Sequence, residues 1–185
     1  MRIFWQLMVA AVLVGLGGCG RSEVVLDEVG EGVVVAQISL GEATMRAELV
    51  SNGQRQSGGG ITYVYKPGTE GVLYAMPRKE ISYFNAFGLE RGVDFIWIAD
   101  VGEGALSPGE VVSTESASLR TYRIVDIDRE VEPEIEVDER DQTLYDSSVP
   151  VNFMLEVRDK WVSQKGVRVG DEVKIKIVDA GGSDE

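Results

Sequence analysis

The chain has 185 residues and a net charge of −13, with 31 acidic residues against 18 basic ones. Proteins that bind nucleic acids concentrate lysine and arginine on one face, so this acidic balance argues against a nucleic-acid partner. The chain contains no histidine, which excludes Ser-His-Asp and Cys-His catalytic systems and histidine-ligated zinc. Its hydrophobic fraction of 44% is normal for a globular domain that buries a core.

The N-terminal residues form a short apolar run. A basic residue, Arg2, precedes an apolar stretch from Ile3 to Leu16, and the sequence Leu16-Gly17-Gly18-Cys19 follows. A stretch of about fourteen residues is shorter than the roughly 20 that cross the hydrocarbon core of a bilayer, but it has the length of a signal-peptide apolar region. Cys19 is the only cysteine, so it has no intramolecular disulfide partner.

This arrangement resembles the signal peptide and lipobox of bacterial lipoproteins. The resemblance implies cleavage before Cys19, with diacylglycerol on its sulfur and an additional acyl chain such as palmitate. It divides the start of the chain into a signal peptide (1–18) and a lipidated N-terminus with its tether (19–31). An ordinary secretory signal with an incidental cysteine is the alternative interpretation.

The implied location is extracytoplasmic, at a membrane held through the lipid anchor. Two or more acyl chains anchor a protein stably where a single chain does not. Gly20 follows the cysteine, and no aspartate occupies that position. By resemblance to enterobacterial sorting, this favours the periplasmic face of the outer membrane in a host with two membranes.

Residues 32–180 are predicted to form a single β domain, followed by a tail at 181–185. Apolar residues occupy alternate positions over 34–40, 45–49 and 149–157, which is typical of strands with one buried face. Gly41-Glu42 predicts a type II′ hairpin between the first two strands. The sequence from Val93 to Ala99 is the most apolar stretch of the domain and predicts a central buried strand.

Three further segments complete the predicted fold. Residues 79–89 fit a helix or a strand, and a short helix or turn is favoured. Alternating valine, isoleucine and glutamate over 131–137 predicts another strand. Valines at 167–169 and apolar residues at 173–177 flank Gly170-Asp171 and predict a closing hairpin. The predicted fold class is all-β, an antiparallel β-sandwich or barrel with at most one short helix.

The densest charged segment runs from Asp126 to Asp146. It holds ten carboxylates and two arginines, for a net charge of −8. The simplest interpretation is a solvated strand face that discourages edge pairing. A Ca²⁺ site is an alternative, because hard cations take oxygen ligands, and a surface for docking a basic partner is another. The candidate ligands or docking residues are Asp126, Asp128, Asp138 and Asp141.

Aromatic residues concentrate between positions 63 and 87. Tyr63 and Tyr65 lie two positions apart, so on a strand they would share one face. Exposed, that face could stack a sugar or peptide ligand; packing in the core or at a sheet edge is the simpler interpretation. Trp97 is predicted to be in the core, whereas Trp161, beside a turn, is expected to be partly exposed.

Three functional hypotheses follow. The first is a lipid-anchored envelope protein with a non-catalytic β domain that binds another envelope protein or serves assembly. The second is a small-ligand or Ca²⁺-binding module that uses the acidic segment or the Tyr63/Tyr65 face, and it predicts a concave site with converging polar groups. The third, an envelope hydrolase, requires two close carboxylates with separated pKa values in a cleft. No catalytic residues and no cofactor other than the lipid at Cys19 are assigned.

Overall fold

The structure, a computed structural model, describes residues 34–51, 67–87, 89–102, 104–110, 117–134, 137–138 and 141–179. Within these ranges the chain forms nine strands and one short helix. The elements are β1 Val34–Leu40, β2 Ala43–Ser51, β3 Gly71–Glu80, β4 Tyr83–Asn85, β5 Val93–Asp100, β6 Tyr122–Val131, β7 Leu144–Asp146, β8 Val151–Arg158, α1 Trp161–Lys165 and β9 Glu172–Asp179.

Seven of the strands close into a barrel. Their order around it is β1-β2-β3-β8-β5-β6-β9, and β9 returns to pair with β1. Every neighbouring pair is antiparallel except β2 and β3, which run parallel. Strands β4 and β7 form a separate two-stranded sheet. The predicted all-β class is therefore confirmed, and the architecture is a barrel.

The alternating pattern of β1 and β2 lines the barrel interior. Ala36, Ile38 and Leu40 belong to the same buried cluster as Met45 and Leu49 on the paired strand, as the sequence predicts. The two strands turn at Gly41, whose φ of 56° is readily adopted by glycine. Because β1, β2 and β9 bury mainly this interior face, their other side chains carry the polar surface of the barrel.

Strands β3, β5 and β8 are instead buried on both faces. All eight residues of β5 are buried, with Ile96 and Ile98 in the barrel interior and Phe95 and Trp97 in a second cluster outside it. The β4–β7 sheet covers this second cluster, and Phe84 makes edge-to-face contacts with Phe95 and Trp97. Two-sided cover explains the continuous apolar runs in β3 and β5, and it confirms that Trp97 is in the core. Strand β8 alternates in sequence, but its Asn152, Met154 and Glu156 are also buried, so the single buried face expected for this strand is wrong.

One end of the barrel is closed by α1. Trp161 and Val162 pack into the interior cluster, so Trp161 is buried and the expected partial exposure is wrong. Asp94, at the start of β5, accepts hydrogen bonds from the backbone N–H of Val162 at 3.0 Å and of Glu130 at 2.9 Å. This carboxylate is buried, and it fixes both the helix and the end of β6 to β5.

The other end is closed by the segment that leads from β5 to β6. Asp100 ends β5 and is in contact with two cations: Lys79 Nζ lies 2.6 Å from Oδ1, and Arg120 Nη1 lies 3.2 Å from Oδ2. The N–H of Leu106 also donates to Oδ2, at 2.7 Å. Ala117, in the same segment, packs into the interior cluster. A buried carboxylate with several donors thus holds this closing segment in place.

The described residues of 79–89, which omit Gly88, do not form the favoured helix or turn. Strand β3 continues to Glu80, and β4 follows at Tyr83. Within this segment Phe84 and Ala86 are buried against the second cluster, whereas Tyr83 and Phe87 are exposed. The strand β4 forms by pairing with β7, which lies about sixty residues later in the sequence. A pairing between such distant segments leaves no local signal in the sequence.

The predicted closing hairpin is also wrong. Val167 is buried in the barrel interior but Val169 is exposed, and neither lies in a strand. Gly166 and Gly170 have φ values of 70° and 95°, which interrupt an extended chain on both sides. Strand β9 pairs instead along its length with β1 and at its start with β6. Similarly, the predicted strand over 131–137 gives, among its described residues, the end of β6 and a single bridge at Glu134.

Replacing Asp94 with alanine tests the closure at the α1 end. The change leaves the N–H groups of Val162 and Glu130 without their acceptor, and we expect the free energy of unfolding to fall by about 2–4 kcal/mol. Urea denaturation with constant m-value measures it. Asp138→Ala, which removes an exposed carboxylate, should change stability by no more than about 0.5 kcal/mol. Equal small losses for both variants would contradict the role of Asp94.

Candidate functional site

Two of the four predicted acidic residues share one face of β6. A register shift in the β5–β6 pairing lies between Ile124 and Asp126, after which Asp126 is paired with Trp97 and Asp128 with Phe95. The shift is a β-bulge, which changes the face to which later side chains point. Asp126 and Asp128 therefore lie on the outer side of the barrel, beside the β4–β7 sheet.

Hydrogen bonds hold both carboxylates in place. Asp126 accepts from Ser148 Oγ at 2.5 Å and from the N–H of Ile127 at 2.8 Å. Asp128 accepts from Trp97 Nε1 at 2.7 Å. Burial raises the pKa of Asp128 above its ordinary value, the Trp97 hydrogen bond opposes this rise, and the carboxylates of Asp126 and Asp146 add to it. Asp128 thus connects β6 to Trp97 in the second cluster, and Asp126 connects β6 to Ser148 in the segment after β7.

The other two predicted residues lie elsewhere in the acidic segment. Asp138 and Asp141 are exposed, and the N–H of Asp141 donates to the backbone carbonyl of Asp138 at 2.8 Å. Among the described residues, no group of three or more acidic side chains is placed to hold a metal ion. The Ca²⁺ hypothesis therefore stays a prediction without a described ligand set.

The outer face of the β4–β7 sheet presents apolar side chains to solvent. Tyr83 and Leu144 are 59% and 63% exposed, and Ile81 and Phe87 continue the same alternation beyond β4. Cross-strand pairing places Tyr83 opposite Asp146, on the face away from Phe84. We call Ile81, Tyr83, Phe87 and Leu144 the sheet face. Several exposed apolar side chains on one face of a sheet are typical of interaction sites.

Acidic residues lie on both sides of the β4–β7 sheet. Asp146 pairs directly with Tyr83 on the sheet face, and the backbone of Glu134 forms a bridge with that of Phe87. Burial raises the pKa of Tyr145, on the reverse side of the same sheet, and the carboxylates of Glu134, Asp128 and Glu132 raise it further. Asp146 therefore places negative charge on the sheet face, and the other carboxylates lie toward its reverse side.

The sequence pattern contained a signal for this face. Ile81, Tyr83 and Phe87 fit a strand alternation, but alternation alone does not tell which side is buried. The structure shows that the intervening residues, Phe84 and Ala86, are the buried ones. A cluster of aromatic residues in the sequence thus divides into core and surface members.

A concave site lies at the Asp100 end of the barrel. Two cavities of about 380 and 450 Å³ adjoin each other there and share Leu119, Arg120 and Thr121 as walls. Arg123 lines the first cavity, and Lys174 and Lys176 line the second. We call the two cavities together the end cleft. None of the site residues predicted from the sequence is among its described lining residues.

Several predicted site residues lie outside the described residues. These are Cys19, with the signal and tether that surround it, and the pair Tyr63 and Tyr65. Lipidation at Cys19 and ligand stacking on the two tyrosines stay predictions. In the ranges that the structure does describe, no helix is both long and apolar enough to cross a membrane.

Comparisons with known proteins give similarity in fold. No family model matches the chain, and no curated protein matches it. A solved structure from Sinorhizobium meliloti 1021, described as a candidate transcription regulator, superposes with a TM-score of 0.57 at 18% identity, over 79% of this chain and 98% of that one. A protein of unknown function from Novosphingobium aromaticivorans DSM 12444 gives 0.52 at 16% identity, over 75% and 83%. At these identities the likeness concerns the fold alone.

Asp128→Asn tests the electrostatics of the acidic face. The amide oxygen still accepts from Trp97, but the negative charge beside Asp126 is removed. Because the pKa of Asp128 is raised on folding, the folded protein favours the protonated form of this carboxyl group. The resulting contribution to the free energy of unfolding is fully present below the ordinary pKa of about 3.8 and is lost as pH rises through the folded value. We expect the variant to melt roughly 1–3 °C higher at pH 7, since solvent screening keeps the effect small.

Scanning calorimetry across pH measures this difference. The gain in melting temperature should shrink toward zero near pH 3, where Asp128 is protonated in both the folded and the unfolded wild-type protein. Asp138→Asn provides the matched control, because its carboxylate is exposed and should give no pH-dependent gain. A melting temperature that drops equally at pH 3 and pH 7 would show that the Trp97 contact, and not charge, dominates at Asp128.

Proposed function

We propose that this protein is a lipid-anchored, extracytoplasmic binding protein whose sheet face docks a basic segment of another envelope protein. The observation that carries the proposal is the sheet face itself: exposed aromatic and aliphatic side chains with the exposed carboxylate of Asp146 beside them. Apolar side chains of the partner would bury against Tyr83 and Leu144, and a lysine or arginine would meet Asp146.

The lipid anchor rests on the Leu16–Cys19 sequence. Between Cys19 and the first residue of β1, Val34, about fourteen residues span at most ~50 Å when extended. The barrel would therefore stay close to the membrane while its sheet face remained free to meet a partner. Anchoring also raises the local concentration of the barrel relative to other membrane proteins.

Binding is favoured over catalysis by the positions of the polar groups. Asp128, the carboxyl group with a raised pKa, accepts a hydrogen bond from Trp97 Nε1 and lies on an outer strand face. The end cleft, which is the concave site described above, is lined by arginine and lysine and lies elsewhere. A hydrolase that uses a pair of carboxylates would need a carboxyl group with a raised pKa inside a cleft.

A peptide-binding experiment tests the sheet face. The probe is a ten-residue peptide that alternates lysine and valine, titrated into the full-length protein in detergent, with an alternating glutamate–valine peptide as its counterpart. We expect the lysine peptide alone to bind, and the double variant Tyr83→Ser/Leu144→Ser to weaken it at least tenfold, about 1.4 kcal/mol, because two apolar contacts are lost. Fluorescence anisotropy measures the dissociation constants.

Leu119→Ser is the control variant, since Leu119 is an exposed apolar residue at the end cleft. It should leave peptide binding unchanged. Asp146→Asn should reduce the salt dependence of binding while the apolar contacts persist. Equal affinity of both peptides, or an effect of Leu119→Ser as large as that of the double variant, would overturn the proposed docking site.

Metabolic labelling with palmitate tests the anchor separately. We expect the wild-type protein to incorporate label and to stay with membranes after a high-salt wash, because acyl chains and not charge hold an acidic protein there. The Cys19→Ser variant should lose the label. A wild-type product that is found free of membranes, with a reactive thiol at Cys19, would contradict the lipoprotein hypothesis and leave the sheet-face experiment unaffected.

A further inference from the structure

The end cleft is cationic in a strongly acidic chain. Four basic side chains line it: Arg120, Arg123, Lys174 and Lys176. Among the residues that the structure describes, the two acidic ones in the lining are paired, Asp100 with Lys79 and Arg120, and Glu172 with Lys174 at 3.2 Å. The described lining therefore has an excess of positive charge, although the whole chain carries −13. Such a reversal of local sign focuses anions into the cleft.

Arg120 is held rigidly at the junction of the two cavities. Its Nη1 donates to Asp100 Oδ2 at 3.2 Å and to the carbonyl of Gly104 at 2.8 Å. Neither bond uses the Nη2 amino group, and about a quarter of the side chain is exposed. A guanidinium fixed on one side by the protein is pre-organised to bind an anion on the other side.

The walls around Arg120 supply further donors and little steric bulk. Gly102 and Gly104 have φ values of 106° and 78°, and no atom lies within 4 Å of the position that a Cβ would take on either. The hydroxyl-bearing residues Thr121 and Ser39 line the same cleft. A cleft of this size, with arginine, lysine and hydroxyl groups, matches the needs of a tetrahedral oxyanion.

We propose that the end cleft binds a phosphate group carried by a small molecule or a lipid. Leu119, which is 88% exposed, stands at the rim between the two cavities beside Arg120. An apolar residue next to cations suits a ligand with a phosphate and an apolar part. Strand β1 contributes Gln37 to the cleft, so the cleft lies beside the first described strand.

Phosphate titration of the full-length protein tests the proposal. The ¹⁵N-labelled protein in zwitterionic detergent is titrated with inorganic phosphate at constant ionic strength, with chloride as the reference anion. We expect saturable shifts of the Gly102, Gly104 and Thr121 amide resonances. The double variant Arg123→Gln/Lys176→Gln should weaken the binding of phosphate at least tenfold. Arg129→Gln/Lys165→Gln, which removes the same charge from exposed positions outside the cleft, should leave the affinity within twofold.

A fluorescent label distinguishes a lipid headgroup from a soluble phosphate ester. Leu119→Cys is labelled with nitrobenzoxadiazole, and the protein is reconstituted into vesicles of phosphatidylcholine with or without phosphatidylglycerol. A blue shift that requires phosphatidylglycerol and is reversed by inorganic phosphate identifies an anionic phospholipid headgroup, because the choline of phosphatidylcholine balances the charge of its phosphate. Phosphate binding without that shift identifies a soluble ester. Shifts that do not saturate, or equal weakening by both double variants, would overturn the proposal.

The outcome is independent of the sheet face. The cleft variants should leave binding of the lysine–valine peptide unchanged, and Tyr83→Ser/Leu144→Ser should leave phosphate binding unchanged. Failure of one proposal therefore does not imply failure of the other.

Discussion

Strand β5 is the element on which the rest of the barrel depends. It is buried on both faces, and its interior side carries a carboxylate at each end, Asp94 and Asp100, with Ile96 and Ile98 between them. Each carboxylate is buried and has several donors, and each secures the segment that closes one barrel mouth. A buried charge left without its partners is costly, so each closing segment stabilises the buried carboxylate that it contacts. The interior can then be filled by side chains without leaving either mouth open to water.

The two outer sides of the barrel differ because the β4–β7 sheet covers only one of them. The β4–β7 sheet covers β3, β5 and β8 with a second core, and its own outer side becomes the sheet face with Tyr83 and Leu144. On the opposite side β1 and β9 expose a polar surface that, with the 117–121 segment, forms the cationic end cleft. The two proposed surfaces differ in charge, because Asp146 lies on the sheet face and arginine and lysine line the end cleft. If both proposals hold, the barrel binds two partners of opposite charge at separate places.

The sequence predicts the fold class and the strands whose signal is local. Alternation in β1, β2 and β8 and the apolar run of β5 are visible without the structure, because burial of one or both faces determines residue type. It does not predict β4 or the exposure of Val169, because those depend on pairing with β7 and on the two flanking glycines with positive φ. Asp126 and Asp128 could be nominated from charge density, but their outward direction depends on a bulge that has no sequence signature. The end cleft joins residues from β1, the 117–121 segment and β9, so composition alone could not assemble it.

The seam between β1 and β9 has a consequence for biogenesis. Val34 is paired with Asp179, so the first described strand completes its hydrogen bonding only with the last. Contacts between such distant parts of a chain form slowly, because a long loop must close before they contribute. A polypeptide with this connectivity would leave its barrel open until β9 is available to pair with β1. Closure of the barrel therefore depends on the last described strand.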